Sequence, residues 1–150
     1  MKTKAKMILL DVDGTLVDTA PDIADCVDEM MRILEMPPRG EDKVRLWIGN
    51  GAKRLVKRAL IDNMDGEPDA GLYDKAYPIF ADLYSRNVCV RSHLFPGVRE
   101  GLDYLKNLGI KMGCVTNKPA RFTEPLLEQL GIRPDFELIL SGDTLPKKKT

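Results

Sequence analysis

The sequence predicts an α/β fold: a parallel sheet interrupted, just after its first strand, by an all-helical insertion. Three observations carry this. A short apolar run, Met7-Ile8-Leu9-Leu10, ends abruptly in Asp11-Val12-Asp13-Gly14-Thr15, as a buried strand does when it meets a tight turn. Residues 17–92 hold helical periods and no convincing buried strand. From residue 93 onward helix and strand patterns alternate, which is how parallel strands joined by right-handed crossovers read in a sequence. The implied division is a core made of residues 1–16 and 93–150 and a helical insertion over 17–92.

Within the insertion, Thr19 stands three residues before Asp22, with Pro21 early in the first turn, the pattern of a capping box. Ile23, Cys26, Val27, Met30, Met31 and Leu34 then share one helical face. Met36-Pro37-Pro38-Arg39-Gly40 ends that helix. A short helix is predicted over 41–47 and a turn at Gly49-Asn50-Gly51. The 53–62 segment is amphipathic, with Leu55, Val56, Ala59 and Leu60 inward and Lys53, Arg54, Lys57 and Arg58 outward as a solvated face. A helix over 68–86 places Leu72, Ala76, Ile79, Phe80 and Leu83 on its apolar side, with a kink expected at Pro78. Beyond the Phe95-Pro96-Gly97 turn, Val98, Leu102 and Leu105 mark a helix that Gly109 stops. A strand over 110–116, a helix over 120–130 stopped by Gly131 and a third strand over 137–140 complete the order.

Composition narrows the function classes. The 150 residues are 43% apolar and 31% charged, as in a folded globular chain of one domain or of a small core with an insertion. The 23 basic and 23 acidic residues cancel, which removes the electrostatic case for a nucleic-acid or anionic-membrane partner. No apolar run approaches the ~18 residues of a membrane helix. The basic start is followed only by Met7 to Leu10 before Asp11, too little for a signal peptide. Cys26, Cys89 and Cys114 are odd in number, far apart and form no C-x-x-C, so free thiols in a reducing cytoplasm are expected. The one histidine, His93, reads as a loop residue rather than part of a zinc site or a Ser-His-Asp triad.

Ligands of open parallel sheets bind beyond the carboxyl ends of the strands. Two such ends carry polar residues here: Asp11 with Asp13, and Thr116 with Asn117. Two carboxylates at i and i+2 around a turn can share a cation and divide labour, one attacking as nucleophile while the other shuttles a proton. Gly14 lets the backbone turn close to a bound group, and amides of that turn could hold an anion. Oxygen-only ligands favour Mg²⁺. The pattern fits a Mg²⁺-assisted phosphoryl site; the alternative is a strand end whose acidic residues satisfy turn amides.

The stretch from Met7 through Asp11-Val12-Asp13-Gly14-Thr15-Leu16-Val17-Asp18-Thr19 resembles the first motif of the haloacid dehalogenase-like phosphatases. Cys114-Val115-Thr116-Asn117-Lys118 is similar to their second motif, and Phe95-Pro96-Gly97-Val98 with Leu102, Leu105 and Gly109 to the segment leading into it. Trp47-Ile48-Gly49-Asn50-Gly51-Ala52 and the ending Leu140-Ser141-Gly142-Asp143-Thr144-Leu145-Pro146-Lys147-Lys148-Lys149 look most like bacterial phosphoglycolate phosphatases.

The resemblance implies a Rossmann-like core with a helical cap, Mg²⁺ as cofactor and a small phosphorylated metabolite as partner. It implies that Asp11 attacks phosphorus and that Asp13 protonates the leaving group and then activates water. The Asp11 carboxylate and the Asp13 carbonyl would bind Mg²⁺. Thr116 and the Asn117 amide would hold the phosphoryl group, beside Gly14 and Thr15, and Lys149 would neutralise it. Asn50 and Gly51, with Arg54 nearby, would face the substrate's carboxylate. The family pattern continues Lys-Pro-x-Pro and then an acidic fourth motif, whereas Thr150 follows Lys149 here. From this we expect an incomplete core, weak or absent turnover, and an exposed apolar edge at Met7 to Leu10 through which the chain self-associates.

Overall fold

The computed structural model describes residues 7–144. Lys149, expected to neutralise the phosphoryl group, lies outside the described residues. In chain order the elements are β1 (Met7–Leu10), β2 (Val17–Asp18), α1 (Ala20–Ile33), α2 (Glu41–Trp47), α3 (Ala52–Ile61), α4 (Ala70–Ser85), β3 (His93–Leu94), α5 (Val98–Asn107), β4 (Lys111–Val115), α6 (Ala120–Gln129) and β5 (Phe136–Leu140), with a 3-10 turn at Arg133–Asp135 before β5.

The sheet is parallel, in the order β1-β4-β5. Leu9 aligns with Gly113, and Gly113 with Leu138. A Cβ at Gly113 would meet Leu9 Cδ2 at 2.8 Å, so the exposed Leu9 side chain would have to turn aside to admit one. The chain steps in one direction from β1 to β4 to β5, so right-handed crossovers put α5 and α6 on the same face. Leu102 of α5 and Leu126 and Leu127 of α6 accordingly bury Val12, Met112, Cys114 and Phe136.

The second core lies among α1 to α4. Ile23, Cys26, Val27, Met30 and Met31 of α1 pack with Val44 and Trp47 of α2, Leu55, Val56, Ala59 and Leu60 of α3, and Ala76, Phe80 and Tyr84 of α4. Phe122 of α6 also belongs to this cluster, with its ring 4.9 Å from that of Tyr84, and so ties the helical layer to the sheet layer. α4 runs as one continuous helix through Pro78.

Four expectations are corrected. Residues 17–92 are not wholly helical: Val17–Asp18 pairs antiparallel with His93–Leu94, forming a stem where the insertion leaves and returns. His93 is therefore an exposed strand residue, not a loop residue. A two-residue ladder is too short to leave a period in the sequence. The capping box does not form, because both side chains are engaged elsewhere. Thr19 Oγ1 donates to Asp13 Oδ1 (2.7 Å), and the Asp22 carboxylate accepts from the amides of Val90, Arg91 and Ser92 and from the Ser92 hydroxyl. Arg58 is not on a solvated face: it is buried and donates to the Trp47 and Met64 carbonyls and to Asn50 Oδ1, satisfying loop ends that would otherwise lack donors.

Candidate active site

Parallel strands open all their carboxyl ends on one side, so Asp11, Thr116 and Ser141, each the first residue after a strand, rise together. Two backbone bonds lock the loops after β4 and β5: the Thr116 amide donates to Leu140 (2.9 Å) and the Gly142 amide to Lys118 (2.9 Å). Gly142 lies so close to the Asn117 backbone that any Cβ would collide with its carbonyl, so glycine is the residue this approach admits. The Ser141 hydroxyl is buried without a hydrogen-bond partner among the described residues.

The turn after β1 is closed by its own amides. Thr15, Leu16 and Val17 donate to the Val12 carbonyl, and Gly14, at φ 77°, donates to Val17. Of the turn amides expected to hold an anion, those of Gly14 and Thr15 are thus taken up within the turn itself. Thr15 itself is exposed. Asp11 Oδ1 accepts from the Val12 amide (2.7 Å), which fixes the carboxylate at the strand end.

Asp13 is held from two sides. Its Oδ1 accepts from Thr19 Oγ1 and from Lys118 Nζ (3.1 Å), and its side chain is only 10% exposed. Lys118 is itself 4% exposed, and its Nζ also lies 2.5 Å from the Tyr84 hydroxyl and 4.5 Å from the centre of that ring. Burial first, and the Asp13 charge second, hold the Tyr84 phenol well above its ordinary pKa, so it stays neutral. Sequence reasoning gave Lys118 and Tyr84 no role. The available signal was that Lys118 directly follows Thr116-Asn117 at a strand end; nothing local announces its partner, 34 positions away in α4.

Thr116 is buried beside this group, its Oγ1 accepting from the Lys118 amide (3.2 Å). Asn117 reaches the helical layer, donating from Nδ2 to the Gly49 carbonyl (2.9 Å). Gly51 lines a small cavity with Asp13 and Lys118. Asn50 is bound by Arg58. Arg54 does not join the site: Glu67 draws its guanidinium away (2.6 Å). Lys53 and Arg121 instead line a cleft of about 240 Å³ between α3 and the loops after β4 and β5, with Tyr77, Asn117 and Asp143. The Cys26 thiol is pushed up to about 12 by burial, with Asp22 and Asp25 adding to the effect, so it is no nucleophile at neutral pH.

The donor set is hard oxygen, which suits a divalent cation of the Mg²⁺ type. No cluster of three His, Cys, Asp or Glu side chains occurs among the described residues. Among the described residues, Asp11 and Asp13 are the ones that could hold such a cation.

A parallel sheet with paired aspartates at its carboxyl end defines a class that the comparisons settle. Residues 5–150 match the haloacid dehalogenase-like hydrolase family, and the chain belongs to it. A phosphoglycolate phosphatase of Nitrosococcus oceani is 60% identical over 149 residues, covering 99% of this chain and 66% of the relative. One of Thiobacillus denitrificans is 46% identical, covering 96% of this chain and 63% of the relative. The crystal structure of a predicted phosphoglycolate phosphatase from Haemophilus somnus superposes with a TM-score of 0.90 at 35% identity, covering 98% of this chain and 67% of that one. The chain thus spans just under two thirds of the length of these curated relatives.

Proposed function

We propose that this site hydrolyses phosphate monoesters with Mg²⁺, and that 2-phosphoglycolate is its substrate, yielding glycolate and phosphate. The observation that carries the reading is the placement of Asp11 and Asp13 in the turn directly after β1, with Asp13 held by Thr19 and Lys118 and with Thr116 directly after the neighbouring strand β4. The names of the relatives support the substrate.

In the first step an Asp11 oxygen forms a bond to phosphorus, the bond from phosphorus to the glycolate oxygen breaks, and Asp13 gives its proton to the departing alkoxide. In the second, water attacks phosphorus, Asp13 takes the proton, and the acyl-phosphate bond breaks to free Asp11 and phosphate. Thr116 and Asn117 orient the phosphoryl oxygens. The Asp11 carboxylate and the Asp13 carbonyl would hold Mg²⁺, which would supply charge neutralisation for the phosphoryl group. Residues 17–92, apart from the β2 stem, act as a cap over a core of residues 1–16 and 93–150, in a cytoplasmic protein.

Phosphate release from 2-phosphoglycolate, measured against nucleotide, pyrophosphate and sugar phosphate substrates, tests this. Turnover should require Mg²⁺, stop with EDTA, and fall by at least about 10³-fold in Asp11→Asn. Metal-independent turnover, or an active Asp11→Asn, would overturn it.

A further inference from the structure

We propose that Lys118 and Tyr84 are positioning residues that hold Asp13 for proton transfer, so that acid catalysis operates only while α4 is seated on the sheet layer. This rests on the phosphatase reading above. The juxtaposition itself is structural: one buried ammonium, on the loop after β4, joins a carboxylate on the loop after β1 to a phenol on a helix of the insertion.

A buried lysine needs a local reason, because removing its charge from water is costly unless partners replace the lost hydration. Here the partners are Asp13 Oδ1 at 3.1 Å, the Tyr84 hydroxyl and the face of the Tyr84 ring. At 4% exposure Lys118 is poorly placed to hold substrate, so its effect passes through Asp13. The Thr19 hydroxyl and the Lys118 ammonium converge on one oxygen of Asp13, fixing the carboxylate's rotation and leaving Oδ2 as the atom that can face a leaving group. Beside them lies a cavity of about 20 Å³, walled on the helical side by Ile48, Leu55 and Phe80. That is room for one water. Tyr84 stacks on Phe80 and tilts against Phe122, so its hydroxyl is where the two layers meet. Displacing α4 withdraws that hydroxyl from Lys118 and frees the lysine to move.

Leaving-group dependence tests this. Expulsion of p-nitrophenolate needs no proton, whereas expulsion of the glycolate alkoxide does. Rapid-quench measurement of the first phosphorylation of Asp11 should therefore show Lys118→Met slowed about 10–100-fold with 2-phosphoglycolate and less than about 3-fold with p-nitrophenyl phosphate, with KM little changed. Tyr84→Phe, which keeps the ring, should show the same pattern more weakly. Lys118→Arg should recover part of the rate. Equal losses with both substrates, or a loss confined to KM, would overturn the proposal. An Asp11→Asn control that leaves turnover intact refutes the phosphatase reading instead. Whatever the turnover, urea denaturation of Asp13→Asn, Lys118→Met and the double variant should be non-additive; additive midpoint shifts would also overturn it.

Discussion

The four helices of the insertion enclose a core among themselves, with Ile33, Leu46, Met64 and Val90 left exposed outside it, whereas the sheet covers only one of its faces among the described residues. In the helices, side chains from α1, α2, α3 and α4 converge on Met30, Val56, Phe80 and Tyr84, all essentially buried. In the sheet, α5 and α6 cover the row of Met112, Cys114 and Phe136, while Met7 and Leu9 on the opposite face stand 38% and 58% exposed and Leu138 is exposed beside them. The same kinds of side chain thus contribute unequally: burial removes apolar area from water inside each core, while a whole face of the sheet stays wet. The site lies where the two layers touch, and so takes its rigidity from both.

Truncation experiments should sharpen the contrast. Phe80→Ala should cost about 3–5 kcal/mol in urea denaturation, because it opens a cavity in a closed core, while Leu138→Ala should cost less than about 1 kcal/mol. Comparable losses would mean the two layers are packed alike. The clasp between them comes next. Asp22→Ala removes the acceptor for three amides and a hydroxyl at Val90, Arg91 and Ser92, and should cost about 2–4 kcal/mol with faster proteolysis at that return segment. Unchanged proteolysis would show that the stem of β2 and β3 holds the insertion by itself.

A smaller, pH-dependent effect belongs to the sheet layer. Burial alone would raise the pKa of Asp135, but Arg99 and Lys106 together outweigh it and leave the carboxyl below its ordinary value. A group depressed in the folded state stabilises above its unfolded pKa of about 3.9 and loses that contribution as pH falls through the folded value. Asp135→Asn should therefore cost about 1–2 kcal/mol at pH 7 and progressively less below about pH 4. A pH-independent difference would refute the assignment. The smallest effect on stability is expected at the bare face. Leu9→Lys should change it by less than about 0.5 kcal/mol yet reduce self-association in sedimentation velocity, since an exposed apolar sheet surface is what a second molecule would cover. Identical sedimentation of the two proteins would place any association elsewhere.

Most of the architecture and part of the site were legible in the residues. The α1 face from Ile23 to Met31, the helix at Glu41–Trp47 and the strand over Lys111–Val115 follow from periodicity and breakers, because backbone geometry imposes a period on any chain that must bury one side. Asp11, Asp13 and Thr116 could be singled out as candidates because parallel strands deliver their ends to one place. Arg58 and Arg54 were not: both stand on an amphipathic helix, and only the positions of Trp47, Met64 and Glu67 decide that one is buried and the other paired away from the site.

The sequence by itself determined where most helices and strands form and which carboxylates stand just after the first strand of the sheet, since these depend on local geometry and on the direction of the strands. Tertiary structure alone decided that Thr19 serves Asp13 rather than its own helix, that Asp22 clasps the returning chain, and that Lys118 lies between Asp13 and Tyr84. Each of those is a polar group choosing among partners distant in the chain. Burial forces such a choice, and no local pattern of residues encodes it.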